Sequence, residues 1–204
     1  VVKPELAVSA DQMVQLVRSR RSIRVYRRKP VDPVLLTRMI DLARYAPTAK
    51  NLQPVRWLVV RERETVARLA GLVIAWMQGL VAANDGRFFP LPLLKGLAAE
   101  WAAGRDRICR SAPHLIVAYG AKNFPPALSG CLIALTTLEV AAPAFGLGAC
   151  WAGYFDLAAN HYLPLAEALG LPDGHQSYGG LMIGYPRFAY PRMPLRNPAD
   201  ITWR

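Results

Sequence analysis

RSRRSIRVYRR, residues 18–28, sets six arginines around Ser19 and Ser22 and follows a run with helical spacing. Arg20, Arg21, Ser22 and Arg24 together have the chemistry of a phosphate clamp. Guanidinium forks bind phosphate oxygens bidentately, and a serine hydroxyl adds a directional donor. The spacing suits a compact dianion as well as a nucleic-acid backbone. A solvated basic face, or favourable positive charge at a helix C-terminus, accounts for it equally well in isolation.

Working outward, Ser9 and Gln12 have capping-box spacing and open a helix with Met13, Leu16 and Val17 on one face. Asp32 and Pro33 supply an N-cap and a first-turn proline for a second helix, which Pro47 stops. The polar loop PTAKNLQP (47–54) leads into Trp57–Val60, a short apolar run suited to a buried strand. Glu64 to about Ala83 reads as a helix, Leu94–Arg110 as another, and HLIVAY (114–119) as a second buried strand. Pro126 to about Phe145 is a helix without a clear polar face, which places it in a core or a subunit contact. GLGACWAGYF (146–155) reads as a glycine-punctuated turn or short strand. A helix disturbed at Pro164 spans about 158–169, a further strand covers Tyr178–Gly184, and a basic, proline-rich tail follows. Interleaved strands and helices predict an α+β or α/β fold around a small mixed β-sheet.

The chain has 204 residues, enough for one substantial core, and reads as a single domain over 1–204, with the valine start compatible with a longer parent. Its net charge of +11 raises nucleic acid as a partner, but 53% of residues are hydrophobic and only 19% charged. The imbalance comes from scarce acids more than abundant bases, so phosphorylated small molecules fit as well as polymers. A colourless nucleic-acid-binding module using Arg18 to Lys29 is the rival expectation. Cys109, Cys131 and Cys150 have no disulfide or CxxC spacing, which fits a reducing cytoplasm. The uncharged stretches 123–138 and 140–155 are split by Glu139 and broken by prolines and glycines, as buried helices rather than membrane spans. His114, His161 and His175 are too scattered for a metal site. Gly146 and Gly148 start a dinucleotide fingerprint that Trp151 interrupts, so no Rossmann site is expected.

Taken in order, RRSIRVY, ARYAPTAKNLQPVRWLVV, SAPHLIVAY, GLGACWAGYFD and GYPRFAYPRMP resemble the FMN-dependent nitroreductase family over nearly the whole chain. The resemblance implies a nitroreductase-like α+β fold, a small mixed sheet surrounded by helices, and an interlocked homodimer with an exchanged C-terminal tail and two FMN sites at the subunit interface. It assigns Arg20, Arg21, Ser22 and Arg24 to the first FMN segment, with Arg20 and Ser22 on phosphate and Arg24 near the pyrimidine edge. Pro47, Thr48, Ala49, Asn51 and Gln53 match a loop reaching the flavin from the other subunit. Cys150, Trp151, Ala152 and Gly153 match the segment beside the flavin ring, where Tyr154 replaces a second glycine common among relatives. Arg192 matches an arginine returning to the phosphate, with Arg196 as its rival, and Arg105 is the nearest match to a polar group at the pyrimidine edge. No side chain is expected to be catalytic and no metal is expected, because the flavin carries the chemistry.

The implied activity is two-electron transfer, through hydride at flavin N5, from NAD(P)H or a ferredoxin-type donor to a small organic acceptor such as a nitroaromatic or quinone, by a ping-pong mechanism. The pattern is especially similar to nitroreductase domains that follow a ferredoxin-like iron–sulfur domain. A flavin-binding sensor without turnover is a further alternative. Phe88, Phe89, Trp76, Met77 and Trp101 fall in the excursion expected to cover the pocket.

Overall fold

The computed structural model describes residues 2–204. The capping box is formed in full: Ser9 and Gln12 exchange side chain–backbone hydrogen bonds at 2.9 and 3.2 Å and open α1, Ala10–Ser19. The Asp32 carboxylate accepts from the Val34 N–H at 2.7 Å and, with Pro33 in the first turn, starts α2, Pro33–Ala43. Strand β1 is Arg56–Val60, followed by α3, Arg63–Ala82, and α4, Leu91–Ala102. Strand β2, His114–Ala121, and helix α5, Pro125–Ala141, come next, then β3, Gly148–Trp151. Helices α6, Gly153–His161, and α7, Leu163–Leu169, precede the last strand β4, His175–Gly184.

The four strands lie in the order β1-β2-β4-β3, and every pairing is antiparallel. The fold is α+β as expected, but the sheet is not mixed. The α3–α4 excursion explains the β1–β2 pairing: it leaves after Val60 and returns at His114, with Val60 opposite Leu115, so the chain re-enters at the end it left. Both faces are covered. Leu115, Val117 and Met182 face a core shared with α3, α4, α6 and α7, whereas Ile116, Ala118, Leu181 and Ile183 face α2 and α5. Cover on both sides is why β2 reads as a nearly continuous apolar run from His114 to Tyr119 and why β4, polar at His175–Ser177, turns apolar at Leu181–Ile183.

Several boundaries differ from the sequence reading, β4 starting at His175 and α5 ending at Ala141 among them, and three of the differences shape the site. Helix α4 stops at Ala102, well short of Arg110, because the Asp106 carboxylate captures the backbone N–H groups of Ile108, Cys109 and Ser111 at 2.8–2.9 Å. That loop includes Arg110 and Ser111 in left-handed conformations, which a helix cannot accommodate. Second, 146–155 resolves into strand β3 and the start of α6. Third, the stretch disturbed at Pro164 is two helices, α6 and α7, with extended Tyr162 between them and Pro164 in the first turn of α7.

Helices α3 and the α5 region, Pro125–Phe145, are long and apolar enough to cross a membrane by length and composition. Both instead supply core residues, Val66 to Leu80 from α3 and Ala127 to Glu139 from α5. One flank of α5 stays uncovered at Leu128, Leu132 and Ile133, and α1 leaves Met13, Val14 and Val17 exposed. The tail after Tyr185 carries exposed Phe188, Leu195, Ile201 and Trp203.

Candidate active site

The arginine segment runs along the β3 edge of the sheet. The Ile23 N–H donates to the Ala149 carbonyl at 2.9 Å, and the two backbones are so close that a Cβ on Gly148 would lie 2.7 Å from Ile23 Cβ. Glycine at 148 is therefore what lets the segment dock. A β-bulge between β2 and β4 includes Gly179, at φ +145°, where a Cβ would stand 2.9 Å from the Trp151 ring. The bulge makes room for the indole.

Arg20 and Trp151 meet on Glu139. This carboxylate, 7% exposed on an otherwise uncharged helix, accepts from Arg20 Nη1 at 3.0 Å and from the Trp151 indole N–H at 3.1 Å. Arg21 donates through Nη2 to the Arg192 carbonyl at 2.6 Å and lies over the Tyr190 ring, while its buried Nε has no acceptor among the described residues. A buried N–H without a partner calls for an acceptor.

Arg24 reaches a cavity of about 440 Å³ that Cys150, Trp151, Gly153, Tyr154 and Phe89 also line. Burial pushes the Cys150 thiol up, outweighing the opposite pulls of Arg24 and Arg110, with Glu139 adding to the rise. Ala152 is buried, and its N–H donates to the Gly180 carbonyl at 2.8 Å. Of the aromatic excursion, Phe89 reaches this cavity, packed edge-on to Tyr154. Trp76 and Met77 are core residues, Phe88 packs between Trp76 and His161, and Trp101 faces a neighbouring groove.

Arg105 does not line the cavity; Glu100 holds it through Nε and Nη2 at 3.0 and 2.6 Å, and the same carboxylate accepts from Arg107 Nε at 2.9 Å. Arg107 and Arg110 line it instead. The sequence signal for them was Asp106, a residue type whose side chain folds back on the following amides. Glu139 was legible too, as the one charged residue of an apolar helix. Arg196 joins Arg20 and Arg18 around a cavity of about 610 Å³, whereas Arg192 contributes its carbonyl to Arg21.

Pro47, Thr48, Ala49, Asn51 and Gln53 lie elsewhere. Their loop is closed by the Gln53 N–H donating to Thr48 Oγ1 at 3.1 Å, with Lys50, Asn51 and Gln53 in left-handed conformations. It packs on Gly130 of α5 and leads into β1, at the sheet edge opposite β3. Three strand spacings, roughly 14 Å, separate those edges. One copy of the chain thus brings the arginine segment and the Cys150–Gly153 segment together and leaves the 47–53 loop apart.

The chain is thus a four-stranded antiparallel sheet clothed by helices on both faces, with this guanidinium-rimmed cavity at its β3 edge. The chain belongs to the Nitroreductase family, whose model matches residues 17–185. A protein of Archaeoglobus fulgidus provisionally named an NADH dehydrogenase/NAD(P)H nitroreductase is 23% identical over 177 residues, 87% of each chain. A nitroreductase from Desulfitobacterium hafniense solved with bound FMN superposes with a TM-score of 0.74 at 22% identity, covering 94% of this chain and 97% of that one. Iodotyrosine deiodinase, solved with FMN and 3-iodo-L-tyrosine, superposes with a TM-score of 0.71 at 20% identity, over 94% and 98% of the two chains.

Proposed function

We propose that this flavin-dependent oxidoreductase binds FMN between two copies of the chain and moves two electrons from NAD(P)H to a small organic acceptor, such as a nitroaromatic or a quinone. The observation that carries the reading is the convergence of Arg24 with Cys150–Tyr154 on one cavity, from segments far apart in sequence. The residues fit the cofactor: Arg21 has a buried N–H lacking an acceptor among the described residues, and Arg24 and Arg110, which enter no ion pair among those residues, put positive charge at the cavity, whereas Arg107 is paired with Glu100. When bound, FMN supplies the redox chemistry, accepting a hydride and giving up two electrons.

The protein's part is binding, orientation and electrostatics. Arg20, Arg21 and Ser22 hold the phosphate, with Glu139 fixing Arg20. Arg24 lies toward the pyrimidine edge, where a fixed cation stabilises the negative charge that reduction leaves. The backbone of Cys150, Trp151, Ala152 and Gly153 flanks the ring, and Phe89 and Tyr154 shape the space above it. Donor and acceptor use that space in turn, which gives ping-pong kinetics and needs no separate dinucleotide fold.

The second copy completes the site. Pro47, Thr48, Ala49, Asn51 and Gln53 sit at the far sheet edge of their own chain, so they reach the flavin from the partner. The uncovered flanks of α1 and α5 and the apolar tail supply surface for an interlocked dimer with exchanged tails. The rival nucleic-acid track loses Arg24, which lines the cavity beside Cys150, Trp151 and Tyr154, and Arg27, whose Nε donates to the Pro186 carbonyl at 3.1 Å.

The test is the visible spectrum of purified protein, followed by anaerobic titration with NADH, NADPH and reduced ferredoxin. A yellow protein bleached by a nicotinamide is expected. A colourless protein that cannot be loaded with FMN refutes the site. A yellow one reduced only by ferredoxin refutes the donor.

A further inference from the structure

A groove of about 810 Å³ adjoins the candidate cofactor cavity and shares Arg24 and Arg110 with it. Arg28, Arg63 and Arg187 also line it, against two carboxylates, Glu64 and Asp106. Five cations less two anions leave +3 on one concave surface. Asp106 is spent on three backbone N–H groups rather than on a guanidinium. None of the five arginines enters an ion pair among the described residues.

The arginines stand on ordered backbone. Arg27 N–H donates to the Tyr185 carbonyl at 2.9 Å and Arg187 N–H to the Val25 carbonyl at 3.0 Å, so the stretches bearing Arg24, Arg28 and Arg187 are locked together. Arg63 is held by the Ser111 carbonyl at 2.6 Å and opens the 20-residue α3, whose N-terminus has no side-chain cap and adds positive potential. Concentrated like charge destabilises a fold by self-repulsion. A polyanion in the groove removes that penalty.

We infer that the groove binds the phosphate-bearing arm of the dinucleotide reductant and selects NADPH over NADH through the 2′-phosphate. The inference rests on the reading that the flavin ring lies in the adjoining cavity. A nicotinamide entering there can run its phosphates past Arg24 and Arg110 toward Arg28, Arg63 and Arg187. Trp101 on the groove wall gives adenine a surface to stack on.

Calorimetric titration of the full chain with adenosine 2′,5′-bisphosphate and with 5′-AMP tests the groove without reference to turnover. The bisphosphate should bind about tenfold or more tightly, lose that advantage in R28A/R187A, and weaken as salt rises. The exposed variants R28E and R187E, checked for unchanged thermal midpoint and FMN content, should lose it too. Equal binding of the two nucleotides, or full bisphosphate affinity in the folded variants, overturns the inference. So does a flavin reduced equally well by NADH and NADPH, or reduced only by an acidic ferredoxin-type protein. Failure to hold FMN would instead remove the functional reading, while the bisphosphate titration still decides the groove.

Discussion

Replacing Glu139 by glutamine removes the charge on which Arg20 and Trp151 converge while keeping the side chain's size and one acceptor oxygen. Breaking a fully buried ion pair by removing one partner costs about 3–5 kcal/mol, because the other charge is left uncompensated. Arg20 is not fully buried: its side chain keeps 23% exposure, against 9% for Glu139, so water screens part of that cost. The amide oxygen can still accept from the indole, whose neutral hydrogen bond is worth about 1 kcal/mol. The expected loss is therefore about 2 kcal/mol, or roughly 4–8 °C in thermal midpoint for a chain of this size. Urea unfolding of flavin-free protein, at equal concentrations of wild type and E139Q, measures it. The R20M and R20M/E139Q variants complete a double-mutant cycle, in which the two changes should be clearly less than additive. An E139Q protein within about 0.5 kcal/mol of wild type, or strictly additive changes, would refute the claim that this pair is an energetic tie between the arginine segment and β3.

Gly148→Ala should be more disruptive than its one methyl suggests, by about 1–3 kcal/mol, since the new Cβ meets Ile23; unchanged stability and FMN content would count against the close docking. His114 is held neutral, its Nε2 accepting from the Val31 N–H at 2.8 Å and its Nδ1 donating to the Arg61 carbonyl at 2.6 Å, and burial lowers its pKa. The unfolded chain therefore takes up this proton first, so stability should be complete above about pH 6.5 and decline as pH falls below it. Unfolding free energies across pH 5–8 should show that slope, and H114Q should flatten it. The Cys150 thiol, raised by burial, should react slowly with a disulfide reagent at pH 7 in the native protein and quickly after unfolding; rapid native labelling would contradict its placement. Asp106→Ala should free three backbone N–H groups and loosen the Arg107–Arg110 loop, seen as faster amide exchange at Ile108, Cys109 and Ser111.

Much of this was legible locally. Ser9 with Gln12 and Asp32 with Pro33 fix helix starts through contacts within four residues, and those contacts form as the sequence says. Strand β2 announces itself as an apolar run because both faces are buried, whereas β4 starts three residues before the apolar stretch that marks it, at His175. The end of α4 was misread, because helical periodicity continues past Ala102 while one carboxylate, Asp106, redirects three amides. Arg110 was lost with it, hidden inside a helix that does not exist.

By itself, the sequence left α+β and α/β open from its interleaved elements, and the family resemblance selected α+β and assigned segments 20–24 and 150–153 to one expected site. The element starts depend on residue types and order within a few positions, which short-range physics reads directly; the site assignment depends on the resemblance. Tertiary structure alone decided that the sheet is wholly antiparallel, that Glu139 ties Arg20 to Trp151, and that the 47–53 loop stands at the opposite sheet edge. It alone gathered Arg28, Arg63 and Arg187 into one groove. Each of these depends on which strands become neighbours and which end of the sheet a long excursion returns to, and neither is encoded within the reach of a hydrogen bond along the chain.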